Sequence, residues 1–147
     1  MEEHRLVHQV NVEAALICTR AALPGMRAQR WGRIVNVTSI TLTGGWENLA
    51  PYVQSKGALL GLTRAWAREF GKWGITCNAI APGAFPTDAE KIHPDPDAYT
   101  RFVLDHQAVK RRGSPDDIAA AILFLTSESA GFITGQSLAV DGGWNMS

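Results

Sequence analysis

The chain has 147 residues, a mass of 15.9 kDa and 14 basic against 14 acidic side chains, for a formal net charge of zero. That length suits a single domain, residues 1–147, with enough chain for a core, and the charge balance argues against a nucleic-acid or membrane-surface partner. No run of about 18 apolar residues occurs, so no transmembrane helix is expected.

The start, Met1-Glu2-Glu3-His4-Arg5, is charged and lacks the apolar centre of a signal peptide. From Glu2 to Gln29 the pattern is helical, with Leu6, Val10, Ala14, Ile17 and Ala21 recurring at helical steps. Pro24-Gly25 falls inside this stretch and predicts a kink or break there. Gly32 opens a short run, Ile34 to Thr38, rich in β-branched residues and read as a buried strand. Thr41 to Ala50 reads as a loop around Gly44-Gly45. Pro51 to Phe70 is a second helix with Leu59, Leu62, Trp66 and Phe70 in one stripe, and Gly71 is placed at its C-terminal cap. Ile75 to Ala81 is a second strand that Pro82-Gly83 ends.

The pattern then weakens from Ala84 to Pro115, where a turn-rich insert, His93 to Asp97, precedes a short helix over Asp97 to Gln107. Ser114-Pro115-Asp116-Asp117 carries an N-cap, a proline at the first helical position and first-turn acids, and starts a helix to about Thr126. Ser137 to Val140 is the last strand, turned away by Asp141-Gly142-Gly143. Strands separated by helices imply a parallel sheet joined by right-handed crossovers. The fold class is therefore α/β, a partial Rossmann-like doubly wound fold of about three parallel strands with flanking helices. Cys18 and Cys77 lie in apolar stretches and read as reduced core residues of a cytoplasmic protein. The four histidines show no metal-ligand spacing and are read as surface residues. Lys110-Arg111-Arg112 is read as a solvated loop, and the five tryptophans as mostly core or interface fillers.

The stretch from Ser39 to Lys56 carries the chemistry. Tyr52 and Lys56 sit four residues apart on one helical face. An ammonium near a phenol favours the phenolate and so draws a tyrosine pKa down from about 10. A tyrosine so poised gives or takes a proton at a carbonyl or alcohol oxygen. Ser39, at a strand end, can hydrogen-bond the same oxygen, and Trp46 lies between the two. The same residue types have plainer uses. Tyr and Lys share this spacing by chance on many helices, a serine at a strand end is often a turn residue, and Pro-Gly commonly ends a strand.

In company these pieces form a pattern. Asn11 within Val10-Asn11-Val12, Gly32 to Ser39, Tyr52-x-x-x-Lys56, Cys77 to Gly83, Thr87, Phe132 to Gly135 and Val140 to Gly143 follow one another in the order found in the short-chain dehydrogenase/reductase family, which the chain resembles over nearly its whole length. The resemblance implies NAD(P)-dependent interconversion of an alcohol and a ketone, with a small-molecule alcohol or carbonyl substrate. It implies Tyr52 as proton donor and acceptor, Lys56 on the nicotinamide ribose, Ser39 on the substrate oxygen and Asn11 on a relay water. Pro82, Gly83 and Thr87 would border the nicotinamide. It also implies a homodimer or homotetramer through the two long helices, with Leu6, Val10, Ile17, Leu62, Trp66 and Phe70 divided between core and interface. The family's N-terminal glycine-rich dinucleotide loop does not occur in these residues. NAD or NADP binding by this chain is accordingly expected to be weak, with NAD and NADP undistinguished. Two other functions stay open: a cofactor-independent hydrolase using Ser39, Tyr52 and Lys56, and a non-catalytic fragment that folds by association.

Overall fold

A computed structural model describes residues 1–146. Helix α1 (Glu2–His8) runs through a π-helical segment, Gln9–Glu13, into α2 (Ala14–Gln29). Strand β1 (Gly32–Val37), a single helical turn α3 (Thr41–Gly44) and the long helix α4 (Ala50–Phe70) follow. Then come β2 (Ile75–Pro82), α5 (Pro96–His106), α6 (Pro115–Thr126) and β3 (Ser137–Val140). The strands form one parallel sheet in the order β1-β2-β3, with Gly32 opposite Ile75 and Ala79 opposite Ser137.

β2 is the central strand, and Ile75 to Ala81 are all buried, as an apolar run covered on both faces must be. One face packs on α4, where Trp66, Ala67, Phe70, Ile75 and Cys77 form the core and the Trp66 and Phe70 rings stack at 6.2 Å. The stripe predicted on this helix is thus its buried side. Burial of Cys77, with Glu69 nearby, pushes its thiol up to about 12, whereas Cys18 is exposed rather than a core residue. On the alternate face Arg33 donates to the Ser127 carbonyl just beyond α6, at 3.3 Å.

Polar side chains fix the register inside this packing. Buried Asn36 of β1 donates to Thr63 Oγ1 of α4 at 2.8 Å, and Thr63 in turn donates to Leu59 O. Asn78 of β2 donates to Ile133 O at 2.8 Å and accepts from Gln136 N at 3.1 Å, which seats the approach to β3. Each leaves a buried amide satisfied, so a slip of one residue would break the pair as well as the apolar alternation.

The helices depart from the sequence reading in three places. The first helix passes through Pro24 unbroken, and its irregularity lies upstream, where Gln9–Glu13 widens to the five-residue hydrogen-bond step. Gly71 is the C-cap residue of α4, as expected, but keeps right-handed angles, and the left-handed turn falls at Gly74, whose φ is 72°. A Cβ there would stand 2.5 Å from Arg30 O, so both the backbone angle and the space require glycine. Within the expected loop, Thr41–Gly44 forms the turn α3. The helix over Asp97 to Gln107 forms as Pro96–His106, with Asp95 capping Ala98 N at 2.8 Å. α6 has its expected start, where the Asp117 carboxylate accepts from Ser114 N at 2.8 Å and also takes a two-bond fork from Arg111. That fork holds the Asp117 carboxyl well below the usual carboxylate range. Among the described residues no helix is long and apolar enough to cross a membrane.

Candidate active site

The carboxyl ends of parallel strands are where open α/β sheets place ligands. Ser39 lies two residues beyond β1, and the next residue ties it to β2, because Ile40 N donates to Pro82 O at 3.2 Å. Gly83 continues from β2 and donates to Val140 O at 3.0 Å. A Cβ on Gly83 would stand 2.7 Å from the Asp141 Cβ, so a close approach to the end of β3 accounts for this glycine without any ligand. Asp141 is buried, and its carboxylate accepts from Gly143 N and Asn145 N at 2.9 Å each, which fixes the turn read there from the sequence.

Helix α4 enters with its N-terminal turn against this edge. Lys56 is half-buried, its Nζ donating to Val37 O at 2.9 Å and lying 5.4 Å from the centre of the Tyr52 ring. The lysine therefore spans from the Tyr52 face of α4 to the end of the strand that leads to Ser39. Burial lowers its pKa from the usual lysine value. An ammonium has three N–H donors, and this one spends a single donor on the protein. The Ser39 Oγ accepts from Thr41 N at 3.2 Å, so its lone pair is engaged while its O–H makes no hydrogen bond among the described residues. The Tyr52 hydroxyl likewise has no partner among them.

Asn11 sits in the π-helical segment, and such widened turns recur at functional sites. Its Nδ2 donates to Ser55 Oγ at 2.9 Å, and Ser55 donates to Tyr52 O at 2.7 Å. The first helix is thereby bonded to the turn that bears Tyr52 and Lys56. Ser55, buried at 1% exposure, is the coupling residue; its small side chain on the second helix read from the sequence as surface for close packing, and its place between Tyr52 and Lys56 was the signal of more. Thr87 is exposed on extended backbone at the start of the insert.

Two other expectations change. Arg112 of the basic run is no solvated loop residue, since it pairs with Glu90 where both side chains are largely buried and also donates to Thr100 Oγ1 at 3.2 Å. His106 is exposed, as read from the sequence, and lies against Trp144 at 5.0 Å, whereas His93 is half-buried and stacks on Tyr99 at 3.7 Å.

A family model described as enoyl-(acyl carrier protein) reductase matches residues 1–145. The chain belongs to that family, among the short-chain dehydrogenases/reductases. It is 41% identical over 137 residues to the hydroxy(phenyl)methyl-succinyl-CoA dehydrogenase subunit BbsD of Thauera aromatica, covering 93% of this chain and 54% of that protein. It is 37% identical over 145 residues to 3-oxoacyl-(acyl-carrier-protein) reductase FabG of Vibrio cholerae, covering 99% of this chain and 59% of that one. The solved gluconate 5-dehydrogenase of Burkholderia cenocepacia, in complex with NADP and tartrate, superposes with a TM-score of 0.91 at 29% identity, over 97% of this chain and 56% of that one. The chain thus spans a little over half the length of the relatives it matches.

The lowered Lys56 pKa has a measurable consequence. Between the folded value and the ordinary value of about 10.4 the unfolded chain binds more protons than the folded one. Stability against unfolding therefore gains a favourable slope as pH rises through that window. An NMR titration of the Lys56 side chain is expected to show a midpoint below the ordinary value, and Lys56→Met to remove that part of the slope. A midpoint at or above the ordinary value would mean that the Val37 carbonyl and its surroundings favour the ammonium more than burial penalises it.

Proposed function

We propose that these residues form the proton-transfer and nicotinamide-facing part of an oxidoreductase that interconverts an alcohol and a ketone. The observation that carries this reading is the bridge made by Lys56 between the Tyr52 ring and the end of β1. Among the described residues, two lysine donors, the Tyr52 hydroxyl and the Ser39 O–H have no partner. Unspent donors beside a partly buried cation fit a ligand that brings acceptors, as a ribose and a carbonyl oxygen do.

In this reading Tyr52 donates a proton to the substrate oxygen in reduction and accepts it in oxidation. Lys56 keeps that proton mobile and hydrogen-bonds the nicotinamide ribose, and Ser39 donates to the oxygen as charge develops on it. Asn11 holds the Tyr52 turn through Ser55, and its carboxamide oxygen remains for a relay water. NAD or NADP, when bound, supplies or accepts the hydride. Pro82, Gly83 and Thr87 border its nicotinamide end. These residues contain no glycine-rich loop for the pyrophosphate, so their own hold on the cofactor is weak, of millimolar order, roughly −4 kcal/mol. A cytoplasmic setting goes with this reading, supported by two cysteines left unpaired.

Self-association belongs to the same proposal. Leu6, Val10 and Ile17 are 60%, 62% and 67% exposed along the first helix, while Trp66 and Phe70 are buried in the core. Among the described residues β1 has no partner on its outer side, and open strand edges invite pairing. We place a homodimer or homotetramer contact on these helices.

Two measurements test the reading. With a ketone substrate and NADPH or NADH, Tyr52→Phe is expected to lower turnover by about 100- to 10,000-fold while the fold is retained. Unchanged turnover would remove Tyr52 from the chemistry, and ester cleavage lost in Ser39→Ala but kept in Tyr52→Phe would favour the hydrolase. Sedimentation at low micromolar concentration is expected to give a dimer or larger species that Leu6→Asp with Val10→Asp dissociates. A compact monomer in the unsubstituted chain would contradict the assembly.

A further inference from the structure

Three stretches distant in sequence meet through aromatic rings. Trp46, from the connection between Ser39 and Tyr52, lies 5.8 Å from Trp144 near the C-terminal end. Trp144 is 5.8 Å edge-on from Phe102 and stacks on His106 at 5.0 Å, both on α5. Phe102 continues to Tyr99 at 6.2 Å, and Tyr99 to His93.

Polar contacts hold this tract in place. Asn145 Nδ2 donates to Ile40 O at 3.2 Å and to Thr43 Oγ1 at 3.0 Å, so Trp144 is pinned beside the residue that follows Ser39. The Asp141 carboxylate fixes the turn from which Trp144 projects, through Gly143 N and Asn145 N. His106 Nδ1 lies 2.8 Å from Phe102 O, an atom that can only accept, so the proton is on Nδ1 and the ring plane is set.

The rings are not consumed by the core. Trp46, Tyr99 and Trp144 are only partly buried, and Phe102 is 45% exposed. A packing device alone would bury these faces in exchange for the entropy of ordering them. Here ordered rings stay partly exposed on a tract that Asn145 ties to Ile40, the residue after Ser39. Offset or edge-to-face contact with such a surface favours a flat aromatic group over a saturated ring of equal size.

We propose that this tract, with Trp46 and Trp144 at its active-site end, is the substrate wall, and that the chain selects ketones or secondary alcohols bearing an aryl group next to the reacting carbon. The inference rests on the oxidoreductase reading, since it names the substrate of that same site. It adds Trp46 and Trp144 as specificity-determining residues.

The test is binding of acetophenone against cyclohexyl methyl ketone to the 147-residue chain, followed by NMR at the indole N–H signals. Acetophenone is expected to shift the Trp46 and Trp144 signals and to bind about 5-fold more tightly, within what ring stacking contributes. The preference should fall to about one in Trp144→Leu, checked as folded by its remaining indole signals, and persist in Tyr52→Phe, which keeps the ring. Equal binding of the two ketones, or an aryl preference that survives both Trp144→Leu and Trp46→Leu, overturns the proposal. No aryl preference in the unsubstituted chain, while reduction still depends on Tyr52, rejects the ring wall alone. A preference retained where reduction does not depend on Tyr52 keeps the wall and rejects the proton-transfer reading.

Discussion

A single hydrogen bond sets the geometry on which the candidate site depends. Lys56 Nζ reaches across from α4 to the last carbonyl of β1 at 2.9 Å, and in doing so ties the face bearing Tyr52 to the strand end leading to Ser39. The bond has support on both sides. Asn36 to Thr63 locks the same strand to the same helix deeper in the core, and Trp66 and Phe70 hold the far end of α4 against β2. A crossover between two adjacent parallel strands thus does two jobs. It covers the sheet, and it brings a helix N-terminal turn to the edge where the strands end.

The second constraint is the tie from the first helix. Asn11, in a turn widened to π spacing, donates to Ser55, and Ser55 donates to Tyr52 O. This chain of bonds crosses between helices and ends on backbone, so it positions the turn without spending the Tyr52 hydroxyl. Among the described residues the turn is thus tied in place while the Tyr52 hydroxyl keeps no partner, which leaves it free for the proposed proton transfer.

Much of this was legible in the residues. The β-branched run ending at Thr38, the stripe of Leu59, Trp66 and Phe70, and the Ser114 cap of α6 each point to one local structure, and each forms. The spacing of Tyr52 and Lys56 also gave the shared face. Other features depend on contacts that spacing does not encode. The helix swells at Asn11, whose side-chain partner Ser55 lies on another helix, and it runs on past Pro24. α4 ends at Gly71, but the left-handed turn comes only at Gly74, after a 3-10 turn, where Arg30 O leaves no room for a side chain. Arg112 looked solvated beside Lys110 and Arg111 until the insert brought Glu90 and Thr100 against it. The aromatic tract joins residues 46, 93–106 and 144, a convergence set by the topology and not by local pattern.

The central claim is that the residues at this edge recognise the nicotinamide ribose and hold no adenylate contacts of their own. Titration of the chain with reduced nicotinamide mononucleotide and, separately, with NADH tests this most directly, with the Lys56 and Tyr52 side-chain NMR signals as the readout. The account predicts that both ligands perturb Lys56 and Tyr52 and that both bind alike, at about millimolar strength. Micromolar NADH binding far tighter than the mononucleotide, or binding of either that leaves Lys56 untouched, would contradict it.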